Sequence, residues 1–347
     1  MKKRTVVLSV AIIVLVIAAL AYATLVYVPS ETAPEKETIT VVDVLGVAVE
    51  VEVPVERIIS LASDLSEIIC ALGSEDKIVG RDATSIFPPS ILEKPVVGES
   101  SYNPNLEVLL ELNPDLVVSD SMLTSETRQM IEGAGVPVFI STTGELDPRS
   151  TVTAINLTGQ LVTKFGLILG EEEKANEIVD YMESYEDLVN ERIKNLTPSE
   201  KPLVYYEWYT PWYSCVTASV THSGGINIAA NETVSFPTLS PEYVVEKNPD
   251  VIIRMISSSD HDVADFQTMR EEILNRPGLS GVKAVKEGRV YIYDYAVRTG
   301  IRIPAGLLYW AKWFHPSLFE DIDPAAIHKE LIQRFFGIEL EGVFAYP

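Results

Sequence analysis

The chain has 347 residues, 47% hydrophobic and 22% charged, enough to bury a full core and to form about two domain-sized units, which excludes a disordered chain. Its 27 Lys and Arg stand against 50 Asp and Glu, a formal charge of -23, and so acidic a surface repels phosphate backbones and excludes nucleic acid as a partner. Only two cysteines occur, Cys70 and Cys215, each in an apolar stretch without CxxC spacing; they read as small buried hydrophobes rather than a redox or zinc pair, with a single long-range disulfide left open.

Lys2, Lys3 and Arg4 precede an uncharged run over residues 5–28, which as a helix spans about 36 Å and suffices to cross a bilayer. The basic cluster keeps its own side inside, so the rest of the chain is expected outside the cell. Ala21-Tyr22-Ala23 offers a signal-peptidase site, but Leu25 to Val28 stay apolar beyond it and no cysteine is present for a lipid, so an uncleaved anchor is favoured over release after Ala23. The N-x-T sequons at Asn156, Asn195 and Asn231 permit glycosylation there. Residues 29–37 are polar and aperiodic, the composition of a tether.

Residues 38–55, rich in valine around Gly46, predict a β-hairpin ahead of the main fold. Strands are expected at 58–61, 77–80, 116–119 and 136–140, and helices at 64–72, 105–112 and 125–133, the first stopped by Gly73. This alternation argues a parallel α/β sheet, with ligand beyond the carboxyl ends of the strands. After Pro198 a second set begins, with strands at 203–206, 251–253 and 290–293 and closing helices at 305–314 and 324–336.

One segment occurs twice. Residues 105–118 read NLEVLLELNPDLVV and residues 240–253 read SPEYVVEKNPDVII, aligned without gaps. Each is a helix ended by Asn-Pro, because proline disfavours helical geometry in the residue before it, then a turn and a buried strand. Two copies at matching places suggest a duplicated lobe. Between them residues 171–196 contain no Gly or Pro and carry apolar residues at gaps of three and four, one amphipathic helix of roughly 39 Å that suits a strut between lobes. The chain thus divides into an anchor or signal segment (1–28), a tether (29–37), an N-terminal α/β lobe (38–170), an interlobe helix (171–197) and a C-terminal α/β lobe (198–347).

In the order and spacing of ITVVDVLGVAVEV, VERIISL, ALGSEDKIVG, PVVG, NLEVLLELNPDLVV, SGGINIA and SPEYVVEKNPDVII, the sequence resembles the substrate-binding proteins of ABC importers for ferric siderophores, haem and cobalamin, over residues 38 to about 336. The resemblance implies two Rossmann-like lobes joined by one long rigid helix, a ligand held in the cleft with little closure, and no cofactor. It implies a monomer that passes a metal chelate, an iron complex or corrinoid, to a permease and its ATPase. It also implies that Glu107 and Glu242, corresponding residues of the repeat, dock onto permease arginines; acids in a first helical turn equally favour the helix dipole. Val47 stands where the family usually has a basic residue, and the lipid-anchor cysteine is absent, which bears on anchoring rather than on the cleft.

Residues 205–213 concentrate Tyr205, Tyr206, Trp208, Tyr209, Trp212 and Tyr213 just after a strand. Flat faces there suit a macrocycle or catecholate, which makes Trp208, Tyr209 and Trp212 cleft candidates, with Tyr102 their counterpart in the other lobe. Arg81, Arg254, Arg298 and Arg302 each follow a predicted strand end and are candidates to clamp carboxylates or oxyanions, Arg298 and Arg302 foremost because the last-strand loop faces the opening in the family the sequence resembles. No HxH, HExxH, GxSxG or P-loop pattern occurs, so no enzyme is expected. A molybdate or tungstate binder is the alternative within the class, and a surface polysaccharide-binding module the alternative outside it.

Overall fold

The computed structural model describes residues 37–141, 152–257 and 262–347. Strands β1 (Glu37–Val42) and β2 (Ala48–Val53) pair as the expected hairpin, with Asp43 accepting from the backbone N–H groups of Leu45 and Val47 in its turn. A five-stranded, all-parallel sheet follows in the order β5-β4-β3-β6-β7, made of β3 (Ile58–Ser60), β4 (Ile78–Asp82), β5 (Val96–Gly98), β6 (Leu116–Ser119) and β7 (Val138–Ile140). Helices α1 (Ser63–Ala71), α2 (Leu106–Glu111), α3 (Ser125–Gly133) and α4 (Ala154–Leu169) belong to this lobe. A second sheet has the order β12-β11-β10-β8-β9, with β8 (Leu203–Glu207), β9 (Ile226–Asn227), β10 (Val251–Ile256) and β11 (Val290–Asp294) parallel and β12 (Ala345–Tyr346) antiparallel at the edge. Strands β3, β6 and β10 are buried along their whole length, as strands covered on both faces must be.

The strut is present as α5 (Glu172–Ile193). Its first half, through Ala175, Ile178 and Met182, is part of the N-terminal core; its second half, through Val189 and Ile193, packs on Leu308, Ala311 and Phe319. It ends earlier than the expected 197, and Thr197 instead caps a 3-10 turn that starts at Pro198.

The two copies of the repeat take one structure, for reasons that reach beyond the proline. Asn105 and Ser240 cap α2 and α7 (Pro241–Lys247), accepting from the N–H groups of Val108 and Tyr243. Asn113 and Asn248 of the two Asn-Pro-Asp turns both have left-handed backbones, φ 46° and 47°, which asparagine tolerates better than most residues. Asp115 then accepts from the N–H groups of Glu56 and Arg57, and Asp250 from that of Leu203, so each aspartate pins the start of the strand beside its own.

After β11 the chain does not stay in the C-terminal lobe expected over 198–347. Ile301 and Ile303, then Leu331, Ile332 and Phe335 of α11 (Pro324–Phe336), lie in the core of the N-terminal lobe. Those apolar residues complete a core that the N-terminal segment alone leaves open. Helix α10 (Ile303–Phe314) starts this return, and Gly306 permits it: a β-carbon there would stand 2.2 Å from the carbonyl oxygen of Val297, in the turn just after β11. Gly306→Ala is expected to cost about 1–3 kcal/mol, the range for forced overpacking, read as a lowered urea midpoint with an unchanged slope.

No helix among the described residues is long and apolar enough to cross a membrane, and the expected anchor at 5–28 lies outside them. Cys70 and Cys215 form no disulfide: both are buried, in the cores of different lobes.

Candidate ligand cleft

The carboxyl ends of both sheets border one cavity of about 860 Å³. From the N-terminal lobe come Asp64 and Glu67 on α1, and Thr84 and Phe87 after β4; from the C-terminal lobe come Ser257 after β10, and Asp294 and Tyr295 at the end of β11. Residues 338–344 close a further side. The position follows from the winding: in each sheet the chain lays strands outward from one centre and then returns to the other side of it, which opens a crevice at the carboxyl ends.

The N-terminal wall is fixed by hydroxyls. The Ser66 hydroxyl stands 2.8 Å from those of both Ser60 and Ser85 and donates its one proton to either; Ser85 donates to Asp82 at 2.5 Å, and Thr84 donates to the other oxygen of Asp82. Burial pushes the Asp82 carboxyl above its ordinary range, against these hydrogen bonds, so its place is held by donors rather than by a cation. Tyr295, on the facing wall, has its hydroxyl pushed up to about 12 by burial, with the Asp64 carboxylate of the opposite lobe adding to the effect. It stays a neutral hydroxyl at the mouth of the cleft.

At the base, Arg302 donates an ion pair to Glu67 at 2.8 Å while its guanidinium covers the Phe87 ring at 3.8 Å. Burial raises the Glu67 carboxyl and Arg302 opposes that rise. Among the described residues that line it, the cavity thus carries the paired Glu67 and Arg302 and four further carboxyl groups, Asp64, Asp294, Glu339 and Glu341.

Of the eight ligand candidates read from the sequence, Arg302 alone lines this cavity. Trp208 and Tyr209 lie beside it: Trp208 packs edge-on against Tyr295 at 5.5 Å and against Tyr209 at 5.3 Å, and Tyr209 is half exposed. Tyr102 is exposed on the loop after β5, where its neighbour Ser101 donates to Asp120. Trp212 instead faces the other side of the sheet, with the Arg276 guanidinium 5.2 Å above its ring. Arg81 is buried and donates to the carbonyls of Asp82, Ser85 and Leu92, shaping the loop after β4. Arg298 lies over the Trp310 ring at 4.2 Å and donates to Ser219.

Arg254 is committed to a buried charge cluster. Glu207, fully buried at the end of β8, pairs with Arg254 at 2.8 Å and Arg276 at 2.5 Å, and also accepts from the Tyr205 hydroxyl and the Trp212 N–H. Glu272, half exposed, adds pairs to both arginines. Of the six aromatics of the run, Tyr205 and Trp212 thus serve this cluster, Trp208 and Tyr209 border the cleft, and Tyr206 is buried in the core.

Two functional-looking residues escaped the sequence reading. Tyr295 directly follows β11, the same signal that singled out Trp208 after β8, and Phe236, exposed and tilted against Trp208 at 5.6 Å, comes from a distant loop that carries no local signal. Glu107 and Glu242 are both exposed in the first turns of α2 and α7. Among the described residues no group of three His, Cys, Asp or Glu side chains is placed to hold a metal ion.

A family model for periplasmic binding proteins matches residues 58–296, and the chain belongs to that family, as its resemblance in sequence implies. It is 27% identical over 230 residues to the cobalamin-binding protein of Halobacterium salinarum, covering 63% of this chain and only 59% of that protein. It is 29% identical over 231 residues to the vitamin B12-binding protein of Vibrio cholerae, covering 62% of this chain and 75% of the relative. The solved structure of the molybdate-bound periplasmic protein MolA of Haemophilus influenzae superimposes with a TM-score of 0.72 at 19% identity, covering 88% of this chain and all of that one, a likeness of fold. Membership in a family of binding proteins fits a chain without an enzyme signature.

Because Glu207 would keep one arginine and lose the other, Arg254→Met is expected to destabilise the fold by about 3–5 kcal/mol in urea unfolding, whereas Glu272→Gln, at the exposed rim, shifts it by less than about 1 kcal/mol. A purely ligand-clamping Arg254 would leave the midpoint unmoved.

Proposed function

We propose that this protein is the extracellular or periplasmic binding component of an ABC importer, and that it captures a neutral or cationic metal chelate, a corrinoid foremost, for delivery to the permease and its ATPase. The observation that carries the ligand class is the charge of the cleft's described lining: beside the Glu67–Arg302 pair it holds four carboxyl groups and no second cation, which repels an anion. That disfavours molybdate or tungstate, haem with its two propionates, and carboxylate-rich or catecholate iron complexes, and leaves corrinoids and cationic siderophore complexes. Volume speaks against the oxyanion as well, since about 860 Å³ lies in the range of roughly 300–1,000 Å³ typical of drug-sized ligands and far exceeds a tetrahedral oxyanion. A corrin presents amide N–H groups to such carboxylates and a flat face to Trp208, Tyr209 and Tyr295. The similarity to two corrinoid-binding relatives supports this choice.

Docking is assigned to Glu107 and Glu242, two exposed carboxylates presented by equivalent helices, one per lobe. Neither lines the cavity, so contact with the permease there leaves the walls of the cleft untouched.

Two measurements check the reading. Calorimetric titration of the folded body is expected to give saturable binding of cobinamide or cobalamin and no heat from molybdate; saturable molybdate binding with no corrinoid binding would replace the corrinoid by the oxyanion. The Glu107→Ala/Glu242→Ala double variant should bind the ligand as the parent does yet lower its uptake in cells carrying the intact importer by tenfold or more, and undiminished uptake would remove the docking role.

A further inference from the structure

The last turn of the chain does something the two-lobe plan does not require. Helix α11 ends in the N-terminal lobe at Gly337, left-handed at φ 69°, and the chain then crosses to the other lobe, where β12 joins the free edge of β11 with Ile292 opposite Tyr346 and Tyr293 opposite Ala345. The crossing segment, residues 338–344, is seated at two points. Leu340 is buried in the N-terminal core, and Phe344 packs on that core and on the C-terminal cluster of Tyr293 and Trp310 at once. His328 meets the Phe344 ring edge-on at 4.8 Å, and the Asp294 N–H donates to the Phe344 carbonyl at 2.9 Å. Between and beside these seats, the whole segment lines the cavity, with Glu339 and Glu341 exposed.

We propose that residues 338–344 form a strap that is a ligand-contacting wall of the cleft, seated by Leu340 and Phe344 and selecting for positive charge through Glu339 and Glu341. This rests on the reading of the cavity as a chelate site. The strap explains the antiparallel edge: β12 runs against its neighbours because the chain arrives from the other lobe. Asp294 and Tyr295 stand at the junction, since the hydrogen bond to Phe344 comes from Asp294 itself and Tyr295 is the next residue. Strap and strand end therefore present one continuous surface to a ligand.

The test uses two corrinoids with the same amide periphery and different charge, the aquocyanocobinamide cation and neutral dicyanocobinamide, with the full chain and its Glu339→Gln/Glu341→Gln variant. The variant is expected to lose about fivefold in affinity for the cation, the order expected of two exposed charge contacts, and to bind the neutral form unchanged. Hydrogen exchange should show residues 338–344 protected when either cobinamide binds the parent, and less so in Phe344→Ala. Parent binding with no difference between the variants and no strap protection would overturn the strap while leaving the importer reading intact. Failure of both cobinamides to bind the parent would overturn the chelate reading and the strap with it.

Discussion

A single buried ion pair closes this molecule. Glu67 belongs to the first helix of the N-terminal lobe and Arg302 to the chain leaving the last parallel strand of the C-terminal lobe, and both are almost wholly removed from water. Neither charge is tolerable there alone, so the segment carrying Arg302 must come to α1. Phe87 covers the guanidinium, and Ile301 and Ile303 on either side of it enter the N-terminal core. From that crossing follow the return of α10 and α11, the completion of the first core by the end of the chain, and the strap back to the second sheet. The pair also forms part of the cavity surface, which links the closure of the fold to the shape of the site.

The electrostatics of the cleft follow from where the arginines went. Each of the four that the sequence places near strand ends is engaged within the protein: Arg81 on loop carbonyls, Arg254 on Glu207, Arg298 on Ser219 and Trp310, and Arg302 on Glu67. Only Arg302 among them lines the cavity, paired with Glu67, and the other charged side chains of the described lining are carboxyl groups. The described lining of the cavity thereby has the same sign as the chain, whose formal charge is -23.

Much of the fold was legible because it rests on local rules. The Asn-Pro-Asp turns, the capped helices before them and the buried strands after them are readable at both sites, and helix α3 and strand β6 match their expected bounds. Strands β5, β9 and β12, of three, two and two residues, are too short to leave a periodic pattern; neighbouring strands place them, not their own sequence. The cleft was legible as a place, at the carboxyl ends of the strands, and much less as a set of residues. Arg254 is expected just past a strand end at 253, but β10 runs on to Ile256 and holds it, and that its guanidinium turns to Glu207 depends on Arg276 and Glu272, farther along the chain. The same limit hid the strap: residues 338–344 carry no motif, and their role comes from two apolar seats in different lobes.

A corrinoid bound as proposed lies between the two carboxyl-end faces, and its cobalt offers a direct way to find it. Crystals grown with cobinamide should show an anomalous peak between Asp64 and Tyr295, with the corrin edge against residues 338–344. A cobalt peak elsewhere on the protein, with that cleft holding only solvent, would contradict the account.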